Sequence, residues 1–401
     1  NTVSKLNNWV MSEYRDGMFP NYSPANFIPL RGLGSRVWDV NGKEYIDLGG
    51  GIAVNSLGHA HPELVDALNE QSSLLWHTSN YLANKPTIEL ANTLVELTFA
   101  DNVFFSNSGS EANEVAIKLA RKYQHSIGEK RNKIVSFTHS FHGRSLLNIA
   151  LGGSEKHREG FSPIPEGIVC VEFNNLEEAK NSIDKETTAV IIEPIQGESG
   201  IRLADQEFLK GLKELCNQQG ALLIFDEIQS GVGRTGHLFA YMKYGIEPDI
   251  LSSAKGLGGG IPIGATITKA HIAKCLEPGS HGSTFGGNPI ACAVAQRVIN
   301  LIRQPSLLAG VLEKEEILVQ GLENLSNKHN CFANIRSAGL WIGCDLTRID
   351  SANNLLDTCY SEGLIAVTAG PSTLRLAPAL NISTSDIHEG LSRLDKALSN
   401  Y

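Results

Sequence analysis

The sequence predicts an α/β protein built on a mostly parallel sheet, with a smaller α+β portion toward its C-terminus. Three observations carry that prediction. Short apolar runs, such as ALLIF at 221–225, VII at 190–192 and IVSF at 134–137, are brief enough for strands and apolar enough to be buried on both sheet faces. The runs lead into polar residues, among them Asp226-Glu227, Glu193 and Ser140, so reactive side chains stand at strand ends, where open α/β sheets bind ligands. Helical spacing follows strand spacing, as where Val115 and Leu119 mark a helix after the run at 103–106.

In chain order, residues 3–14 read as a helix and 20–29 as an extended, Pro-punctuated piece. Residues 37–40 and 44–48 are strands about an Asn41-Gly42 turn, a strong hairpin signal. Gly49, Gly50 and Gly51 then permit a close backbone approach to a ligand or a neighbouring subunit. His59 and His61 invite a metal reading, but with no third ligand motif nearby the segment reads better as a turn into a helix starting near Pro62. At 103–123 the order is strand, small polar turn, helix, so backbone N–H groups with the Ser108 and Ser110 hydroxyls can take a phosphate dianion. Such turns also serve simply as helix caps. From about Pro289 a long helical region leads into the smaller portion, whose last helix opens with a Ser383-x-x-Asp386 cap and carries Ile387, Leu391, Leu394 and Leu398 on one face.

A length of 401 residues suggests two or three domains, divided here into an N-terminal segment 1–62, a large domain 63–288 and a C-terminal α+β domain 289–401. With 43 acidic against 34 basic residues and no polybasic run, nothing favours a dedicated nucleic-acid or anionic-membrane surface. Seven scattered cysteines without a CxxC indicate neither a disulfide framework nor a zinc site, and a reducing, cytoplasmic location is expected. Residues 1–17 lack an apolar core of signal-peptide length, and no stretch approaches the roughly 18 apolar residues that would span a membrane.

The chemistry centres on residues 221–260. One strand ends at Asp226, and about one βα unit later a second apolar pair, Ile250-Leu251, leads to Lys255 and then Gly256-Leu257-Gly258-Gly259-Gly260. Three readings compete. A P-loop nucleotidase would use the strand-end acid for magnesium, but GxxxxGK[ST] is absent. A dinucleotide fold would use GVGRTG at 231–236, which matches GxGxxG but follows a polar turn and lacks a convincing helix or ribose-binding acid after it. The third is pyridoxal 5'-phosphate, whose carbonyl forms a Schiff base with a lysine and whose ring nitrogen needs a carboxylate to stay protonated. Lys255 and Asp226 fit the third.

FDEIQ with SSAKGLGGG, NSGSEAN at 107–113, SFHGR at 140–144, EPIQGESG at 193–200 and STFGGNP at 283–289 resemble the class III (subgroup II) aminotransferases, nearest the N-acetylornithine and succinylornithine aminotransferases. The likeness spans nearly the whole chain. It implies the fold type I of pyridoxal-phosphate enzymes, with a mostly parallel seven-stranded sheet in the large domain. It further implies cofactor contacts from Ser108, Gly109, Ser110, Phe141 stacked on the ring, Asp226, Gln229 on the phenolic oxygen and Lys255. Thr284 would reach the phosphate of a partner subunit, which makes a homodimer the expected assembly. Substrate contacts would come from Arg144, on a carboxylate, from Ser283, on the acyl side, and from Arg375 paired with Glu198.

The same resemblance implies amino transfer from N2-acetyl-L-ornithine to 2-oxoglutarate, giving N-acetyl-L-glutamate 5-semialdehyde and glutamate in arginine biosynthesis. Succinylornithine, N-succinyl-diaminopimelate and 4-aminobutyrate are the alternatives within the family. Ile52 stands where ornithine aminotransferases carry a tyrosine, which disfavours free ornithine. A decarboxylase, an aminomutase or a non-catalytic ligand-sensing regulator could be built on the same lysine and aspartate. Release of carbon dioxide, activity without an oxo acid, or binding without turnover would mark those three.

Overall fold

The computed structural model describes residues 11–401. Of the helix expected at 3–14, residues 1–10 lie outside the described residues, and residues 11–17 are helical. Three strands follow, β1 (Pro29–Leu33), β2 (Arg36–Asp39) and β3 (Glu44–Asp47). β2 and β3 pair antiparallel about Asn41-Gly42, with Gly42 at φ 81°, so the hairpin forms where the turn signal placed it. Helices α1 (Pro62–Ser72) and α2 (Lys85–Leu97) both carry Pro in their first turn, and the helix expected near Pro62 starts there.

The large sheet is made by β4 (Asn102–Ser106), β5 (Lys133–Phe137), β6 (Ile168–Val171), β7 (Thr187–Ile192), β8 (Leu222–Asp226), β9 (Ile250–Ser253) and β10 (Gly264–Thr268). Their order is β4-β10-β9-β8-β7-β5-β6, and only β10 runs antiparallel to its neighbours. Helix α3 (Gly109–Ser126) packs its Ala112, Val115, Ala116, Leu119 and Ala120 face onto the sheet, and α4 (Gln206–Gln219) covers the other side with Phe208, Leu209, Leu212 and Cys216. Every residue of β7, β8, β9 and β10 is buried, which explains the apolar runs Ala189–Ile192 and Leu222–Phe225, while β9 and β10 also bury Ser252, Ser253, Thr266 and Thr268.

The region read as one long helical stretch after Pro289 divides into α5 (Pro289–Ile302) and α6 (Pro305–His329), because Pro305 cannot continue the first helix. α5 lies against α1 and α2. Beyond α6 come β11 (Phe332–Ser337), β12 (Ile342–Leu346), α7 (Ala352–Ser361), β13 (Leu364–Ile365), β14 (Val367–Thr368), β15 (Thr373–Leu376) and α8 (Thr384–Ser399). β11-β12-β15-β14 form one small sheet, while β13 extends the N-terminal sheet as a parallel partner of β3. The Ser383 hydroxyl caps α8 by accepting from the Asp386 N–H, as the spacing predicts.

A side chain at Gly50 would stand 2.2 Å from the Ala377 carbonyl oxygen, so at this glycine the backbone lies close against the C-terminal domain. His59 is bound to Asp47 at 2.7 Å, and His61 caps α1 by accepting from the Glu63 N–H, so both histidines have local partners.

Candidate active site

The carboxyl ends of β4, β5, β8 and β9 open onto one cavity of about 340 Å³, lined by Ser108, Gly109, Ser110, Phe141, His142, Asp226, Ile228, Gln229 and Lys255 among others. Asp226 is the last residue of β8, and Lys255 comes two residues after β9, whose parallel pairing sets Asp226 opposite Ser252. That register brings the acid and the amine together from 29 positions apart.

Asp226 is 4 % exposed and is oriented by three groups. Its Oδ2 accepts from Asn113 Nδ2 at 2.9 Å and faces His142 Nδ1 at 2.7 Å, while Oδ1 accepts from the Ile228 N–H at 3.0 Å. Asn113 is itself held by the Ser252 hydroxyl, which donates to its Oδ1 at 2.6 Å. Neither Asn113 nor His142 received a role from the sequence, although both lie in the NSGSEAN and SFHGR motifs. A polar residue on the sheet-facing side of α3 was the available signal for Asn113. Behind Phe141 lies Glu193, fully buried and accepting from the Phe141 N–H at 2.9 Å. Burial, reinforced by the charge of Asp226, holds the Glu193 carboxyl well above the ordinary range.

Lys255 has φ 45° and its Nζ donates to the Ile52 carbonyl at 3.2 Å. Ile52 lies in a turn, residues 50–53, in which every φ is positive, so a β-branched residue is held in the left-handed region beside the reactive amine. Burial lowers the Lys255 pKa; the charges of Glu198 and Asp226 pull it back up, and Arg375 opposes them.

At the other end of the cavity α3 points its N-terminus inward. The Gly109 and Ser110 N–H groups have no hydrogen-bond partner among the described residues, as the first turn of a helix requires. The Ser108 hydroxyl is occupied with Glu111, accepting from its N–H at 3.1 Å and donating to its carboxylate at 3.0 Å. Ser110 Oγ accepts from Asn148 at 2.8 Å and keeps its own proton free. A side chain at Gly109 would meet Ile228 at 2.8 Å, and one at Gly143 would meet Ser110 Oγ at 2.8 Å, so both glycines keep this end open.

Arg375, on β15, stands behind Gln229, which lines the cavity. It is 3 % exposed, and its Nη1 donates to Glu198 Oε1 and to Gln229 Oε1, each at 3.3 Å. Gln229 thus spends its carbonyl on Arg375 and retains its amide nitrogen for the cavity. Arg144 is exposed, with its guanidinium 5.7 Å from the Phe141 ring centre. Ser283 is tied to its own loop and to Asn107, and Thr284 is exposed; neither lines the cavity of its own chain.

The class-III aminotransferase family model matches residues 18–398. The chain belongs to the class-III aminotransferases. The aminotransferase is 52 % identical over 399 residues to a succinylornithine transaminase from Photorhabdus laumondii, covering 99 % of each chain. It is 50 % identical over 391 residues to an acetylornithine aminotransferase from Pseudomonas putida, covering 97 % of this chain and 96 % of that one. An N-acetylornithine aminotransferase from Stenotrophomonas maltophilia superposes with a TM-score of 0.85 at 38 % identity, over 97 % of this chain and 98 % of that one. An ornithine aminotransferase from Toxoplasma gondii, described as revealing partial occupancy of pyridoxal phosphate at its active site, superposes at 0.91 with 30 % identity, over 97 % and 93 % of the two chains. The aminotransferase is therefore a pyridoxal-phosphate-dependent enzyme of fold type I, in the acetylornithine and succinylornithine group.

The donor set fits that cofactor. A buried carboxylate, an amine of lowered pKa, apolar walls from Phe141 and Ile228, and two unpartnered N–H groups at a helix start match a flat, nitrogen-bearing aldehyde with a phosphate.

Proposed function

We propose that the enzyme transfers the terminal amino group of N2-acetyl-L-ornithine to 2-oxoglutarate, as the arginine-forming reaction requires, and that it works as a homodimer in the cytoplasm. The observation that carries this reading is the Arg375–Glu198 pair at 3.3 Å beside the lysine cavity. A donor that reacts at a terminal carbon presents no carboxylate there, whereas glutamate does. A buried arginine suited to one would be left unpaired by the other, and an unpaired buried charge costs several kcal/mol. Glu198 is half-exposed, so it can swing toward solvent when a substrate carboxylate takes its place.

Pyridoxal phosphate, when bound, supplies the carbonyl that receives the amino group and a ring that accepts electrons. Asp226, oriented by Asn113 and His142, would keep the ring nitrogen protonated. Lys255 Nζ takes the proton from the substrate's amine-bearing carbon, and burial, by lowering its pKa, leaves more of it uncharged and basic near neutrality. Gly109 and Ser110 would hold the phosphate at the start of α3 through their free N–H groups and the Ser110 hydroxyl, the Ser108 hydroxyl being engaged by Glu111, with Thr284 serving the site of a second copy. Arg144, exposed beside Phe141, would hold the remote carboxylate of either substrate, and Ser283 would meet the acyl group in the site of a second copy, as Thr284 would the phosphate.

A second reading, N2-succinyl-L-ornithine as donor, is favoured by the succinylornithine transaminases among the relatives at 51–52 % identity. The test is a panel of N-acetylornithine, N-succinylornithine, ornithine and 4-aminobutyrate with 2-oxoglutarate, reading glutamate formed. The acetyl compound is expected to give the highest kcat/KM; a higher value for succinylornithine would transfer the assignment to it, and one for ornithine would remove the acyl group from the proposal.

A further inference from the structure

The GVGRTG motif at 231–236 is absorbed neither by a dinucleotide nor by the cavity just described. Its loop leaves β8 after Asp226, passes Gln229 and turns with Val232, Gly233 and Gly236 all at positive φ. Side chains at Gly233 and Gly236 would meet Ile302 at 2.6 Å and Leu312 at 2.5 Å, so the glycines let the loop lie flat against α5 and α6. Arg234, 2 % exposed, points from this loop into the C-terminal domain. Its Nη1 donates to the Leu340 carbonyl at 2.8 Å and to the Pro378 carbonyl at 2.5 Å, and its own carbonyl accepts from the Leu340 N–H at 3.1 Å. It pairs with no carboxylate among the described residues.

The two carbonyls flank β12 and β15, which are paired so that Gly343 lies opposite Arg375. One guanidinium therefore ties together the matching ends of both strands and fastens them to the loop that starts at Asp226. Eight residues of a single loop then set where Arg375 stands relative to the cofactor-holding acid, with Gln229 touching Arg375 halfway along. Burying a cation without a counter-charge is unfavourable, and hydrogen bonds to peptide carbonyls only partly offset it. Its pKa falls to about 9 through burial alone, so it remains mostly charged at neutral pH. A Leu or Met would fill the same space without that cost but could not hold both carbonyls.

We infer that Arg234 is a positioning residue, which fixes Arg375 for the substrate bearing a carboxylate on its reacting carbon. The inference rests on the role proposed above for Arg375. Arg234→Met and Arg375→Ala are compared with wild type in single-turnover half-reactions, one with glutamate and one with N-acetylornithine, followed by cofactor absorbance. Arg234→Met raises the half-saturating glutamate concentration by ~10-fold and that of acetylornithine by less than about threefold, while the spectrum of the resting enzyme is unchanged. Where Arg234→Met yields no folded protein, Arg234→Gln carries the same comparison with a smaller expected ratio, ~3-fold, because its shorter side chain retains one donor nitrogen. Equal changes in both half-reactions, or none, for the folded variant overturn the inference. If Arg375→Ala itself fails to discriminate, the reading of Arg375 falls instead; if Arg375→Ala discriminates and the Arg234 variant does not, only Arg234 loses its role.

Discussion

Glu198 is a single carboxylate whose removal separates two substrates. Without it Arg375 keeps only the 3.3 Å contact to Gln229, and its Nε already lacks a partner. Glutamate brings its own carboxylate and restores the pairing, whereas an acylornithine does not. Glu198→Ala is therefore expected to slow the acylornithine half-reaction ~10-fold or more and the glutamate half-reaction by much less. Equal losses in the two single-turnover rates would show that the pair is not a gate. The lowered pKa of Lys255 has its own consequence at this scale. An amine whose pKa lies below the ordinary lysine value is uncharged, and so nucleophilic, at lower pH than its neighbours. In cofactor-free protein, the rate of Lys255 acylation followed against pH by peptide mass spectrometry should have its midpoint below the ordinary lysine value; a midpoint at or above that value would remove the lowered pKa. Lys255 and Asp226 were legible in the sequence because Asp226 ends an apolar run and Lys255 follows the pair Ile250-Leu251 by a few small residues, ahead of a glycine cluster. Asn113 and His142 were not, because the bonds that give them meaning join residues 113 and 84 positions from Asp226, which no local pattern encodes.

At the scale of elements, Glu227 shows how one strand end holds a helix. Directly after β8 it is fully buried and accepts from the Ala240 and Tyr241 N–H groups and from the Ser230 hydroxyl, satisfying the start of the short helix Ala240–Tyr244. Truncating it would strand two buried donors, so Glu227→Ala should cost about 2–4 kcal/mol in urea unfolding. Burial pushes the Glu227 carboxyl up to about 7, with the three donors opposing. Between the ordinary carboxyl range and that value the folded chain binds more proton than the unfolded one, so this group's contribution falls as pH rises through the window. Glu227→Gln should flatten that part of the stability profile; a slope unchanged from wild type would assign it to other carboxyls. The strands read at 134–137, 190–192 and 221–225 could be located from sequence because burial on both faces favours a short apolar run, and the structure gives them as 133–137, 187–192 and 222–226. β10 and its antiparallel direction could not be read in this way, since GATIT, with a glycine and two threonines, breaks the apolar run and strand direction leaves no mark on so short a segment.

For the whole molecule the sequence forecast of a second copy meets a surface that suits one. Trp76, Tyr81, Leu82 and Phe285 are all well exposed, Tyr81 almost completely, and they lie together: the His77 and Phe285 rings are 5.2 Å apart, and Asn80 donates to the Ser283 and Gly286 carbonyls. Thr284, expected to serve a partner's phosphate, sits in the middle of this patch. Apolar surface of this kind, left wet, forfeits roughly 25 cal/mol for every Å² a partner would cover. Thr284 does not line the cavity of its own chain, so a second copy covering this patch is what would give it a phosphate to meet. Sedimentation of the native enzyme should then give about 87 kDa, twice the 43.3 kDa chain. Leu82→Asp with Phe285→Asp should give the single-chain mass, because two buried carboxylates facing their symmetry mates would be desolvated without partners. Cofactor affinity should fall in that variant, and Thr284→Ala should lower it within an intact dimer. A double variant that still sediments at twice the chain mass would move the interface elsewhere, and a monomer that binds pyridoxal phosphate as tightly as wild type would mean each chain completes its own phosphate site.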